Sequence, residues 1–152
     1  MAAETPVRCS VVVESKPAAL GQLCQQILSV LEARGFSPDD VFAVHLAMEE
    51  AFLNAVKHGN KMDATKKVTI EYLVDQEKVE IRVMDEGEGF DPHHIPDPRV
   101  GENLYRPEGR GLLLIRSYMH VLEYNERGNG LRMIRYKGRP LPSGATSPSP
   151  VR

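Results

Sequence analysis

The feature that most constrains this chain is a change of hydrophobic period near residue 60. Before it, Val41, Val44, Met48, Phe52 and Ala55 recur at spacings of three and four, the signature of one buried stripe on an α-helix. After it, residues 68–74 (VTIEYLV) and 79–84 (VEIRVM) alternate with period two, as half-buried strands do. Ser37 can cap the helix, Pro38 suits its first turn, and Asp39 and Asp40 set negative charge at the positive end of the helix dipole. Gly59 and Asn60 provide its exit. The short polar link 75–78 predicts an antiparallel hairpin between the two strands.

The same reading extends outward in both directions. Residues 8–14 (RCSVVVE) carry a β-branched run and read as a strand. Ser15 and Pro17 then punctuate a helix start, and Leu20, Leu23, Cys24, Ile27, Val30 and Leu31 form an amphipathic stripe that stops at Gly35. Residues 87–111 are rich in Gly, Pro, His and Asp and show no periodicity, which predicts a long internal loop of the kind that is functional or mobile in a compact domain. Residues 112–119 suit a short helix, and 121–125 with 131–136 suit a final hairpin around Arg-Gly-Asn-Gly. The sum is an α+β two-layer sandwich, a mainly antiparallel mixed sheet with helices on one face. Residues 1–137 read as one domain and 138–152, rich in Pro, Ser and Gly, as a disordered tail.

Composition narrows the function classes. With 152 residues and 41% hydrophobic content the chain can bury a core. A net charge of −2 with mixed signs gives no basic stripe for nucleic acid. No apolar run approaches the ~20 residues that span a bilayer, and the N-terminus has no signal-peptide pattern. A cytoplasmic home without membrane or direct nucleic-acid partners is the expectation. Cys9 and Cys24 sit in apolar patterns without metal spacing and read as buried free thiols. His93 and His94 read as part of a polar loop.

Three clusters carry chemistry. Glu50, Asn54 and His58 follow at i, i+4 and i+8, so they share a flank of the helix away from the apolar stripe. A carboxylate and an amide so stacked can serve a metal-bound phosphate, one as base and one as ligand. Asp85 ends a strand and is followed by Gly87 and Gly89, which lets a flat ligand approach the carboxylate closely. Gly109, Arg110, Gly111 and Leu112 open the short helix, where free N–H groups attract phosphate oxygens. Lys57, Arg106 and Arg110 are further cations that could touch such phosphates or serve as exposed solubilising charge. Neither a GxxxxGK[ST] phosphate loop nor an HRD signature is present.

In their order and setting the three clusters resemble the N, G1 and G2 boxes of the GHKL ATPases. Glu50-Ala-Phe-Leu-Asn54-Ala-Val-Lys-His58-Gly59 is similar to the N box of the anti-sigma-factor serine kinases in particular. The resemblance implies an ATP site. Asp85 would accept from the adenine amino group, with Gly87 and Gly89 giving the ring room. Asn54 would offer its oxygen to Mg²⁺, His58 would flank the nucleotide, and Glu50 would serve as general base. Residues 91–108 would be an ATP lid, with Gly109, Arg110, Gly111 and Leu112 at the phosphates. It further implies a homodimer whose partners are a sigma factor and a STAS-type antagonist phosphorylated on serine. An ATP-dependent binding module without kinase turnover is the alternative.

Overall fold

The computed structural model describes residues 5–87 and 115–141. Strand β1 (Val7–Glu14) leads through a 3₁₀ turn (Pro17–Leu20) into α1 (Gly21–Ala33), and α2 (Pro38–Asn54) runs directly into a π turn (Ala55–Gly59). Strands β2 (Lys67–Val74) and β3 (Lys78–Met84) follow, then β4 (Val121–Tyr124) and β5 (Gly130–Tyr136). Residues 115–118 are helical and Met119, buried, follows the helix; residues 112–114 of the predicted 112–119 helix lie outside the described residues.

The local chemistry explains these boundaries. Gly35 ends α1 with φ +81°, a left-handed conformation that glycine adopts without a Cβ penalty. The N–H groups of Gly35 and Phe36 return to the carbonyls of Glu32 and Leu31, closing a Schellman cap with Phe36 buried behind it. Ser37 and Asp40 form a reciprocal capping box at the start of α2. Asp75 Oδ1 accepts from the Glu77 and Lys78 N–H groups, which shapes the β2–β3 turn.

The sheet order is β1-β2-β3-β5-β4, and every pairing is antiparallel, so the mixed component expected from the sequence is not found among the described strands. Alternation puts Val68, Ile70, Tyr72 and Val74 of β2 on the helix-covered face, together with Val79, Ile81 and Val83 of β3 and Leu131 and Met133 of β5. Against them pack Leu23, Ile27 and Leu31 of α1 and Val44, Met48 and Phe52 of α2. Burying each such side chain stabilises the fold by ~1.5–3 kcal/mol. On the outer face Arg132 bridges Glu80 and Glu123, among apolar neighbours such as Ile134 and the exposed Val12. Both cysteines are free thiols. Cys24 is buried as expected, while Cys9, on an edge strand, is only partly covered. No helix among the described residues is long and apolar enough to cross a membrane.

One tie crosses from helix to sheet. Asp40, 2% exposed, accepts from Arg135 Nε of β5 at 2.8 Å and from the Gly138 N–H at 3.1 Å. Arg135 Nη1 in turn donates to the Tyr118 carbonyl at 2.6 Å. Read from sequence, Asp40 is a helix-dipole charge; in the fold it also anchors α2 to β5.

Candidate functional site

At its other end, α2 meets the end of β3. The Asn60 N–H bonds to the Ala55 carbonyl at 2.8 Å, an i→i+5 closure that accommodates an extra residue in the last turn. Lys61 and Met62 follow with φ of 53° and 61°. Left-handed backbone costs a non-glycine residue roughly 1–2 kcal/mol, so the surroundings must hold it there. The turn brings Gly59 against Asp85. A Cβ at Gly59 would fall 2.1 Å from Asp85 Oδ2, and a Cβ at Gly87 would fall 2.0 Å from the Gly59 carbonyl oxygen. Two glycines and one carboxylate thus close on each other with no room for a side chain at either glycine.

The Asp85 carboxyl accepts the Gly87 N–H at 2.8 Å, and among the described residues no cation lies within ion-pair distance of it. Burial raises its pKa above the ordinary carboxylate value, and the Gly87 hydrogen bond and the charge of Lys66 only partly oppose this. Two further groups share this electrostatic neighbourhood. Burial pushes the Tyr124 phenol up to about 12, with Arg116 lowering and Asp85 raising it, and burial lowers the Arg116 guanidinium. Behind Asp85, the Glu86 N–H donates to Asn60 Oδ1 at 2.8 Å, and the Asp85 N–H donates to the Asn129 carbonyl at 2.9 Å.

A carboxylate set among glycines at a strand end, beside the exit of a helix, is a place for a flat ligand with N–H groups. Comparison with known proteins gives that geometry a lineage. The model of the histidine kinase-like ATPase domain matches residues 13–135. The chain belongs to the histidine kinase-like ATPase family. Within it, the chain is 33% identical over 125 residues to a serine-protein kinase RsbW of Listeria monocytogenes, covering 78% of each chain. A Bacillus licheniformis protein of the same name is 32% identical over 114 residues, covering 69% of each. The fold matches a crystal structure of the RsbU and RsbW domains of a Mycobacterium tuberculosis protein with TM-score 0.58 and 17% identity. That match covers 91% of this chain and 34% of the other, so this chain spans about a third of that protein. The resemblance to the GHKL anti-sigma-factor kinases and the α+β fold it implied therefore hold.

In this histidine kinase-like ATPase domain, Glu50 is half-buried on α2 and Asn54 is the helix's last residue, one turn later. His58 is exposed within the π turn. Lys57, beside it, is exposed. Asp85 and Gly87 come together with Gly59, which the sequence marked as the end of the N box but not as a wall of the site. Gly89, Gly109, Arg110, Gly111 and Leu112, with Arg106 and the expected lid over 91–108, lie outside the described residues. The part Asn60 plays beside Asp85 was not legible in the sequence, since it carries no motif and its partners stand at the ends of other strands. Among the described residues no cluster of three or more His, Cys, Asp or Glu is grouped to hold a metal ion.

Proposed function

We propose that this chain binds Mg·ATP, phosphorylates a serine of a small STAS-type anti-sigma-factor antagonist, and sequesters a sigma factor. The observation that supports it is the Asp85 carboxylate, half-buried between Gly59 and Gly87 and left without an ion-pair partner among the described residues. A desolvated carboxylate seeks hydrogen-bond donors, and the flat, neutral amino group of adenine supplies them where no Cβ stands in the way. The serine-protein kinases among the relatives supply the class of acceptor.

Mg²⁺ fits this residue set as a guest of the phosphates. It is a hard cation that takes few protein ligands alongside phosphate oxygens, and Asn54 offers one amide oxygen without a carboxylate cage around it. When bound, the cation neutralises phosphate charge. Glu50, one helical turn earlier, would take the proton of the serine hydroxyl. His58, Gly89, Gly109, Arg110, Gly111 and Leu112 would complete the nucleotide's surroundings. Residues 1–137 would form this kinase domain, residues 138–152 a tail outside it, and two copies a cytoplasmic homodimer.

The test is phosphotransfer from labelled ATP to the candidate antagonist, run beside a sigma-factor binding measurement. Glu50→Ala should lower transfer by roughly 10²–10⁴ while ATP affinity stays within a few-fold, as general acid–base catalysis requires. Transfer at the wild-type rate would remove Glu50 as the base. A wild type that binds a partner in an ATP-dependent manner yet transfers no phosphate would make this a binding module.

A further inference from the structure

The side-chain amide of Asn60 is fully buried and joins the ends of three strands. Its Nδ2 donates to Ser15 Oγ, just past β1, and to the carbonyl of Lys67 at the start of β2, both at 3.0 Å. Its Oδ1 accepts the Glu86 N–H, just past β3, at 2.8 Å. The orientation of the amide is fixed by its partners, because a backbone carbonyl can only accept and a backbone N–H can only donate. From this network we infer that Asn60 is a positioning residue for nucleotide recognition, setting where Asp85 presents its carboxylate. The inference rests on the adenine role proposed for Asp85.

The peptide that follows Asp85 is held from both sides. The Asp85 N–H is tied to the Asn129 carbonyl at 2.9 Å, and the next N–H, that of Glu86, is tied to Asn60. Glu86 adds a second latch, its Oε1 accepting the Lys67 N–H. With both N–H groups fixed, the Asp85 side chain leaves the backbone in one direction, against Gly59 and Gly87. Asn60 also closes the π turn through its own N–H. One residue therefore ends the helix that carries Glu50 and Asn54 and holds the turn that carries Asp85. The extra residue of the π turn brings it to that junction. An aspartate would lose the two donors, a leucine of similar size would lose all three bonds, and a serine is too short to span three strand ends.

A merely structural Asn60 would affect stability alone, whereas a positioning Asn60 also affects which base is preferred. The informative pair of probes is ATP and ITP, since the ITP ring carries a carbonyl oxygen where adenine has its amino group. Affinities for both are measured by calorimetry on the full chain, with thermal melts alongside. Wild type should prefer ATP by at least about tenfold, and Asp85→Asn should abolish the preference. Asn60→Ala should lower the ATP:ITP ratio by about tenfold, and in an Asp85→Asn background it should change the ratio no further. Asn60→Ser, measured below its melting temperature, serves if the alanine variant does not fold. Asp40→Asn, at the other end of α2, should melt earlier yet keep the wild-type ratio. Asn60 variants that melt earlier but retain the wild-type ratio overturn the inference and leave the adenine role of Asp85 standing. A wild type that does not distinguish ATP from ITP overturns that role and the inference with it.

Discussion

The two ends of α2 each hold a carboxylate out of water, and they treat it in opposite ways. At the N-terminal end, burial alone would raise the Asp40 pKa, but the Arg135 hydrogen bond, the Gly138 N–H, the Arg135 charge and the Ser37 N–H together bring it below the ordinary value. Every strong valence of that group is used inside the fold. At the C-terminal end, burial raises Asp85, and one N–H with a nearby lysine charge does not make up the difference. Burial is common to both carboxylates; what differs is the supply of donors around each, and the one left short of donors is the one proposed to meet a ligand. The backbone follows the same division. The first end is a regular capping box, and the second combines a π turn with two left-handed non-glycine residues.

The largest effect that could break this comparison is on the Asp40 side. Arg135→Ala leaves a buried carboxylate without its guanidinium and should destabilise the chain by ~3–5 kcal/mol. At about 2–4 °C per kcal/mol for a domain of this size, the melting temperature should drop by roughly 10 °C or more. A drop of only a degree or two would mean that Asp40 is not the structural anchor described here. Next in size is Gly59→Ala, whose Cβ would meet Asp85 Oδ2. The carboxylate must move, and ATP affinity by calorimetry should fall about tenfold or more, the worth of one hydrogen bond to a charged group. Unchanged affinity would detach Gly59 from the site.

The smallest effect sharpens the comparison through pH. Asp85 has a raised folded pKa, so ionising it costs the folded state. That cost is present above its folded pKa and is relieved as the pH falls through it. Asp40 has a lowered folded pKa, so its contribution is present above the ordinary aspartate value of 3.8 and is lost as the pH falls through the folded pKa. On acidification from neutral pH, ATP affinity should therefore decline before Asp40 begins to cost stability. Urea titrations and ATP titrations at matched pH check the order, and in Asp85→Asn the early loss of affinity should be absent.

Much of the fold could be read from period and punctuation. The five strands fall within about a residue of the alternating runs, and Gly35 and Ser37 cap the helices as their chemistry requires. Long-range pairing was less legible. Asp40 read as a dipole charge because its partner Arg135 stands 95 residues away, inside a strand whose alternation gives no hint of a buried cation. The π turn was invisible because one extra residue in a helical turn leaves the apolar spacing before it unchanged. Asn60 read as a plain helix exit because Ser15, Lys67 and Glu86 converge on it only once β1, β2 and β3 are paired. The closeness of Asp85, Gly87 and Gly59 involves residues that motifs mark, whereas the hydrogen bonds that hold those residues in place carry no motif.

The most direct test measures both ends of α2 in one experiment: thermal melts of wild type, Asp40→Asn and Asp85→Asn, each with and without saturating Mg·ATP. A ligand that binds only the folded state raises its melting temperature according to its affinity. Asp40→Asn should melt well below wild type without nucleotide yet keep the full nucleotide-induced rise. Asp85→Asn should melt at or above wild type without nucleotide, since an amide is cheaper to bury than a charge, and should lose most of the rise. An Asp85→Asn protein that keeps the wild-type rise, or an Asp40→Asn protein that loses it, would contradict the division of labour between the two carboxylates.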